Sequence, residues 1–158
     1  MEIGELVFSK KAELIEERAE TESGIEVLAS RAAPPAEDIA DCKRLVAIGA
    51  GIKKKEDIPF IQRFADKIGA KLASSRALVE KGWMPQQAQI GLSGRAVQPE
   101  LLITLGISGS VQFMAGIQGA KKIIAVNTDP EARIFNIAHF AVKEDLYPLL
   151  DEIERQWK

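Results

Sequence analysis

From residue 44 onward the apolar positions fall into short unbroken runs, separated by glycine-rich turns and by longer stretches with helical spacing. Leu45-Val46-Ala47-Ile48 shows no polar alternation and ends in Gly49-Ala50-Gly51, the pattern of a strand covered on both faces, as in a parallel sheet. Leu101 to Leu105 and Lys122 to Val126 repeat it. Ala70 to Ala73 and Ala88 to Ile90 read as further short strands, and the less apolar Ala138 to Val142 as an edge strand. Between the runs, Asp57 stands as an N-cap and Pro59 suits a first helical turn. Ile58, Ile61, Phe64, Ala65 and Ile68 then share one helical stripe until Gly69. Arg76 to Lys81 reads as a helical turn ended by Gly82. A helix after Ile107-Ser108-Gly109-Ser110 puts Val111, Met114, Ala115 and Gln118 on one side and ends at Gly119. Asp145 caps a last helix, in which Leu146, Leu149, Leu150, Ile153 and Trp157 recur at three and four residues. Strands alternating with helices predict right-handed βαβ units and a mostly parallel sheet.

The first forty residues differ in character. Ser9 to Glu22 carries Glu13, Glu16, Glu17 and Glu20 at helical spacing and reads as a surface helix. Gly24 to Ser30 alternates like a half-exposed strand, and Ala32-Ala33-Pro34-Pro35 breaks regular structure. The expected organisation is an acidic N-terminal segment and linker over 1–41, with the linker at 31–41, then one α/β domain over 42–158. Residues 1–40 hold a net charge of −6 and the rest +4.

Composition narrows the function. The 158 residues, 46% hydrophobic and 28% charged, are enough for one well-buried domain and too apolar for a disordered chain. A total charge of −2 provides no basic field for nucleic acid. A single cysteine, Cys42, excludes an internal disulfide, and a single histidine, His139, excludes a Cys/His zinc site. No run reaches the roughly eighteen apolar residues of a membrane helix, and the start lacks a basic-then-apolar leader, so no membrane insertion and a reducing cytoplasm are expected.

In open parallel sheets ligands gather beyond the carboxyl ends of the strands. Gly49-Ala50-Gly51, Ser74-Ser75-Arg76, Gly91-Leu92-Ser93-Gly94, Gly106-Ile107-Ser108-Gly109-Ser110 and Asn127-Thr128-Asp129 all follow expected strands, implying one cleft. Glycine admits close backbone approach, and a helix opening at Ser108 would aim amides and its positive end at a diphosphate.

Gly91 to Leu101 and Leu105 to Gly116 resemble the FAD-binding domain of electron transfer flavoprotein alpha subunits. Ile124 to Phe135 is similar to that family's A-I-N-x-D-P-x-A-P-I-F segment, and Ser74-Ser75-Arg76-Ala77 to its A-S-R-x. The resemblance covers residues 44–158. It implies a three-layer α/β/α Rossmann-like domain of the NAD/FAD-binding type, holding FAD along the strand ends in an electron carrier with no catalytic residue or metal of its own. By resemblance, Ser75 and Arg76 approach the flavin, with the arginine cation beside the ring. Ile90, Gly91, Leu92 and Ser93 reach the isoalloxazine, Ser93 standing where the family has threonine. Ser108, Gly109, Ser110, Val111, Gln112 and Phe113 surround the pyrophosphate and ring edge, and Asn127, Asp145 and Leu146 take the adenosine end. A beta-type subunit or a second copy, and redox partner proteins, are the implied partners. The family's alpha subunits add an N-terminal domain that packs with beta, whereas only about forty residues precede the matched region here.

Three positions depart from the family pattern. Ala50 replaces the arginine of G-G-R-G, Leu92 the glutamine of G-Q-T-G, and Phe113 the histidine after I-S-G-A-I-Q. Together they remove donors that would stabilise negative charge on a reduced flavin. The residues also permit plainer readings: Arg76 as the start of a surface helix, Ser108 and Asp145 as caps, Asn127 and Asp129 as an Asx turn, His139 as a half-buried structural residue and Cys42 as an inert side chain. Two other functions fit the same residues, a nucleotide-binding module for AMP or NAD without electron transfer, and a structural or regulatory subunit.

Overall fold

A computed structural model of the chain describes residues 37–157. The helix and strand expected before residue 31 lie outside the described residues. At residues 37–41, within the expected linker, Asp38 caps a 3-10 turn (Ile39–Asp41) and Ile39 is buried.

β1 (Arg44–Ile48) sits inside the sheet because alternate residues enter different cores. Leu45 and Ala47 pack with Leu102, Ile117 and Ile123, while Val46 and Ile48 pack with Ile61, Phe64 and Leu72. β2 (Lys71–Ser74), β3 (Leu101–Leu105), β4 (Ile123–Val126) and β5 (Phe140–Val142) complete a five-stranded sheet in the order β2-β1-β3-β4-β5. Every pairing is parallel. β5 is the expected edge strand, with Phe140 exposed.

α1 (Ile58–Lys67) buries Ile61, Phe64 and Ala65, and α4 (Leu146–Gln156) buries Leu146 and Leu150 against the same face of the sheet. Each large aliphatic or phenyl side chain so buried contributes about 1.5–3 kcal/mol. α2 (Arg76–Glu80) adds Leu78 to that layer. On the other face lie α3 (Val111–Ala115), through Phe113, and the 3-10 turn Arg133–Asn136, through Ile134. This is the three-layer Rossmann-like α/β arrangement.

Four local expectations change. Ala88 to Ile90 is not a strand. Pro85 opens a 3-10 turn (Gln86–Ala88), and the chain then makes only isolated bridges, Ser74 with Gln89 and Ile90 with Arg95, because it turns back at Gly91–Gly94 before a ladder can extend. Asp57 occupies the N-cap position of α1 in helical conformation, at the end of a 3-10 turn (Lys55–Asp57). It makes no capping bond, and its carboxylate instead accepts from Tyr147. α3 begins at Val111 and ends at Gly116, not Gly119, and Gly116 admits the close approach of the Gly91 amide, which a Cβ there would meet at 2.7 Å. Its core-facing residue is Phe113, whereas Val111 is 60% exposed. Asp145 does cap α4, its Oδ1 accepting from the Tyr147 amide at 3.0 Å.

Candidate cofactor cleft

The chain leaves β1 toward β2 on one side, while β3 lies on the other, so the loops beyond β1 and β3 diverge at this switch point. They are pinned backbone to backbone at their roots. The Gly49 amide donates to Leu105 O at 3.0 Å and the Gly51 amide to Gly106 O at 2.9 Å. Above them opens a cleft of about 310 Å³, at the lower end of small-ligand sites. Ala50, Ser75, Arg76, Ile90 to Ser93, Ile107, Ser108, Ser110, Gln112 and Phe113 line it.

Most residues expected from the sequence thus meet in one place. Ile90, Ile107 and Phe113 are buried and supply an apolar floor, and Leu92, 71% exposed, forms an apolar rim. Hydroxyls of Ser75, Ser93, Ser108 and Ser110 ring it. The helix expected to open at Ser108 starts two residues later, with Ser110 Oγ capping Phe113 N at 3.2 Å. With five residues, α3 contributes little dipole. The amides of Ser108 to Gln112, which have no acceptor among the described residues, are the donors that remain. Arg76 is the cleft's one cation among the described residues, and its Nε is held by Glu80 Oε1 at 2.7 Å across one helical turn. The cleft has no carboxylate lining among the described residues.

Five expected residues lie elsewhere. Gly109, at φ 85°, is pressed against the Arg133–Asn136 turn, where a Cβ would meet Ile134 N at 2.3 Å. Val111 faces a separate apolar groove with Met114 and Ile137. Asn127 donates through Nδ2 to Ile107 O at 2.9 Å and accepts the Asp129 amide at 2.9 Å, an Asx turn that ties the β4 loop to the β3 loop. Leu146 is buried in the core, and Asp145 pairs with Lys53 Nζ at 3.3 Å. His139 is exposed, and its Nδ1 accepts the Ile123 amide at the start of β4.

Two features escaped the sequence reading. Gln89, 3% exposed, is part of the cleft lining and donates through Nε2 to Ser93 Oγ at 2.9 Å. Its signal was a polar residue inside an apolar triplet, Ala88-Gln89-Ile90, which the strand reading absorbed. Tyr147 links Lys53 and Asp57. Its oxygen accepts the Lys53 amide at 3.0 Å and donates to Asp57, while Lys53 Nζ lies 4.7 Å from the ring centre. Burial, the larger cause, and the Asp57 carboxylate raise the Tyr147 phenol above its ordinary range.

A larger recess of about 830 Å³ lies at the amino ends of β1 and β2. It carries charges of both signs, among them Asp66, Glu100, Arg44 and Lys71, and lies away from the carboxyl-end loops where ligands of such sheets gather.

The all-parallel order and the crevice at the β1/β3 switch point define a Rossmann-like α/β domain. The family profile described as the electron transfer flavoprotein FAD-binding domain matches residues 38–118. The chain belongs to that family. It is 47% identical over 137 residues, 87% of its length, to the LctC subunit of lactate dehydrogenase (NAD(+),ferredoxin) from Acetobacterium woodii, of which it covers 33%. It is 40% identical over 116 residues to the electron transfer flavoprotein subunit alpha of Paracoccus denitrificans, and 41% to the probable mitochondrial subunit alpha of Caenorhabditis elegans. These two matches cover 73% of this chain and 38% and 35% of the relatives. The chain thus spans about a third of the curated relatives it matches. Among the described residues, no helix is long and apolar enough to cross a membrane.

The family implies FAD, and the cleft's chemistry fits it. An apolar floor suits a flavin ring, serine hydroxyls and the amides that have no acceptor among the described residues suit its polar edge and the diphosphate, and an uncompensated acidic lining is absent among the described residues.

Proposed function

We propose that this domain holds FAD, with the ring in the cleft between Ser75-Arg76, Ile90 to Ser93 and Phe113. The amides of Ser108 to Gln112 take the anionic part, and the loops at Asn127 and Asp145 take the adenosine end. The convergence of the Ser75-Arg76, Ile90 to Ser93 and Ser108 to Phe113 loops on a cleft that has no carboxylate lining among the described residues carries the reading. Bound flavin supplies the redox chemistry, accepting and releasing electrons. The chain's residues bind and orient it. Arg76 brings positive charge to the rim, and Ile90 and Phe113 exclude water from the floor. No side chain need act as acid, base or nucleophile, and the domain serves as an electron carrier between redox partner proteins. Relatives whose names call them subunits support a partner chain, and we assign a beta-type subunit as that partner.

Ala50, Leu92 and Phe113 all line this one cleft. The cleft is therefore less polar than the family pattern implies, and negative charge gathering on a reduced ring meets fewer donors. The test is titration of purified protein with FAD, followed by flavin fluorescence. Saturable one-to-one binding with a perturbed visible spectrum is expected. Flavin that stays free at excess protein, or colourless protein carrying only an adenine nucleotide, overturns the reading.

A further inference from the structure

Ser93 is exposed on the cleft rim, and a serine hydroxyl there rotates freely unless something claims one of its sites. Gln89 does so. Its Nε2 donates to Ser93 Oγ at 2.9 Å, occupying an acceptor site and leaving the hydroxyl proton for a ligand. Gln89 is itself immobilised. Its amide donates to Gln86 O at 3.1 Å, its carbonyl accepts the Arg95 amide at 2.7 Å, and it bridges to the end of β2 at Ser74. Gly94 closes over it so tightly that a Cβ there would lie 2.3 Å from Gln89 O. The second glycine of Gly91-Leu92-Ser93-Gly94 therefore makes room for Gln89, not for a ligand.

We infer that Gln89 is a positioning residue that turns the Ser93 hydroxyl into a committed hydrogen-bond donor toward an acceptor atom of the ring. The inference rests on the FAD reading above. A buried amide that fixes a hydroxyl in advance removes the rotamer search that binding would otherwise require. It also biases the site toward a ring edge that accepts, and so toward the more electron-rich reduced ring.

The test is a double-mutant cycle on Gln89→Met, close in size but unable to donate, and Ser93→Ala, with FAD affinity by fluorescence and midpoint potential against a reference dye. Urea unfolding of each apo-protein tracks folding separately. Gln89→Met is expected to weaken FAD binding about fivefold, the worth of one ordinary hydrogen bond, and to lower the midpoint potential. In the Ser93→Ala background the same substitution is expected to add almost nothing to either reading. Losses that simply add across the cycle overturn the inference and leave Gln89 a packing residue. Where Gln89→Met does not fold, Gln89→Glu keeps size and polarity. It must weaken FAD binding more with Ser93 present than in the Ser93→Ala variant, and equal effects overturn the inference. Wild-type protein that binds no FAD removes the FAD reading and this inference together. Wild-type protein that binds FAD alongside an additive cycle removes this inference alone.

Discussion

The Tyr147 hydroxyl donates to Asp57 Oδ2 at 2.7 Å, joining the first turn of α4 to the start of α1 across ninety residues of sequence. The same oxygen accepts the Lys53 amide, so one phenol fixes the segment between β1 and α1. Tyr147→Phe keeps the ring but strands both partners. It is expected to cost about 1–2 kcal/mol, read as a lower urea midpoint with an unchanged m-value.

The pH dependence follows from the same contact. Burial and Asp57 raise the folded-state Tyr147 pKa above 10.0, and burial raises that of Cys42 above 9.0. Between its ordinary pKa and its raised one, each group binds fewer protons in the unfolded chain than in the folded one. The stability that these two groups contribute is fully present below pH 9 and falls as pH rises through the alkaline range. Thermal melts from pH 7 to 11 should show that decline, and it should be shallower in Tyr147→Phe. A profile identical to wild type contradicts the assignment of the phenol.

Thr104 lies in β3, fully buried between Ala47 of β1 and Ala125 of β4, and its Oγ1 has no hydrogen-bond partner among the described residues. Thr104→Val keeps the shape and removes a desolvated hydroxyl. A gain of about 1–2 kcal/mol in unfolding free energy is expected. Destabilisation would mean that the hydroxyl has a partner.

Gly109 combines φ 85° with a backbone contact to Ile134. A methyl group there is strained twice, by conformation and by the Arg133–Asn136 turn. Gly109→Ala is expected to cost about 1–3 kcal/mol and to weaken FAD binding through displacement of the Ser108–Ser110 amides. Unaltered melting and affinity would show that the loop adapts.

Ala50 is exposed at the cleft in the place where the family pattern has arginine. Ala50→Arg adds a cation facing the bound ring, so tighter FAD binding and a more positive midpoint potential are expected. Both gains should shrink at high salt. Leu92→Gln should move the potential in the same direction by a smaller step. No shift in either variant would place these residues away from the ring.

Strand positions such as Leu45–Ile48 were legible because a strand buried on both faces is apolar without interruption, and Leu101–Leu105 departs from that pattern only at Thr104. The cap at Asp145 was legible because its bond is local. Asp57 has an equally good local signature, yet its carboxylate serves Tyr147, a partner that no window around residue 57 contains.

The same division holds for the site. The roles expected of Ser75-Arg76, Ile90 to Ser93 and the Ser108–Phe113 loop came from the resemblance to the electron transfer flavoprotein alpha family, and the fold brings most of these residues to one cleft. That Gly94 yields to Gln89, that Gly109 yields to Ile134 and that Asn127 ties two loops together was decided only by the tertiary structure. Chain order determines which residues can turn, cap or bury. Whether a small or polar side chain faces a ligand or another stretch of backbone depends on which loops the parallel sheet sets side by side.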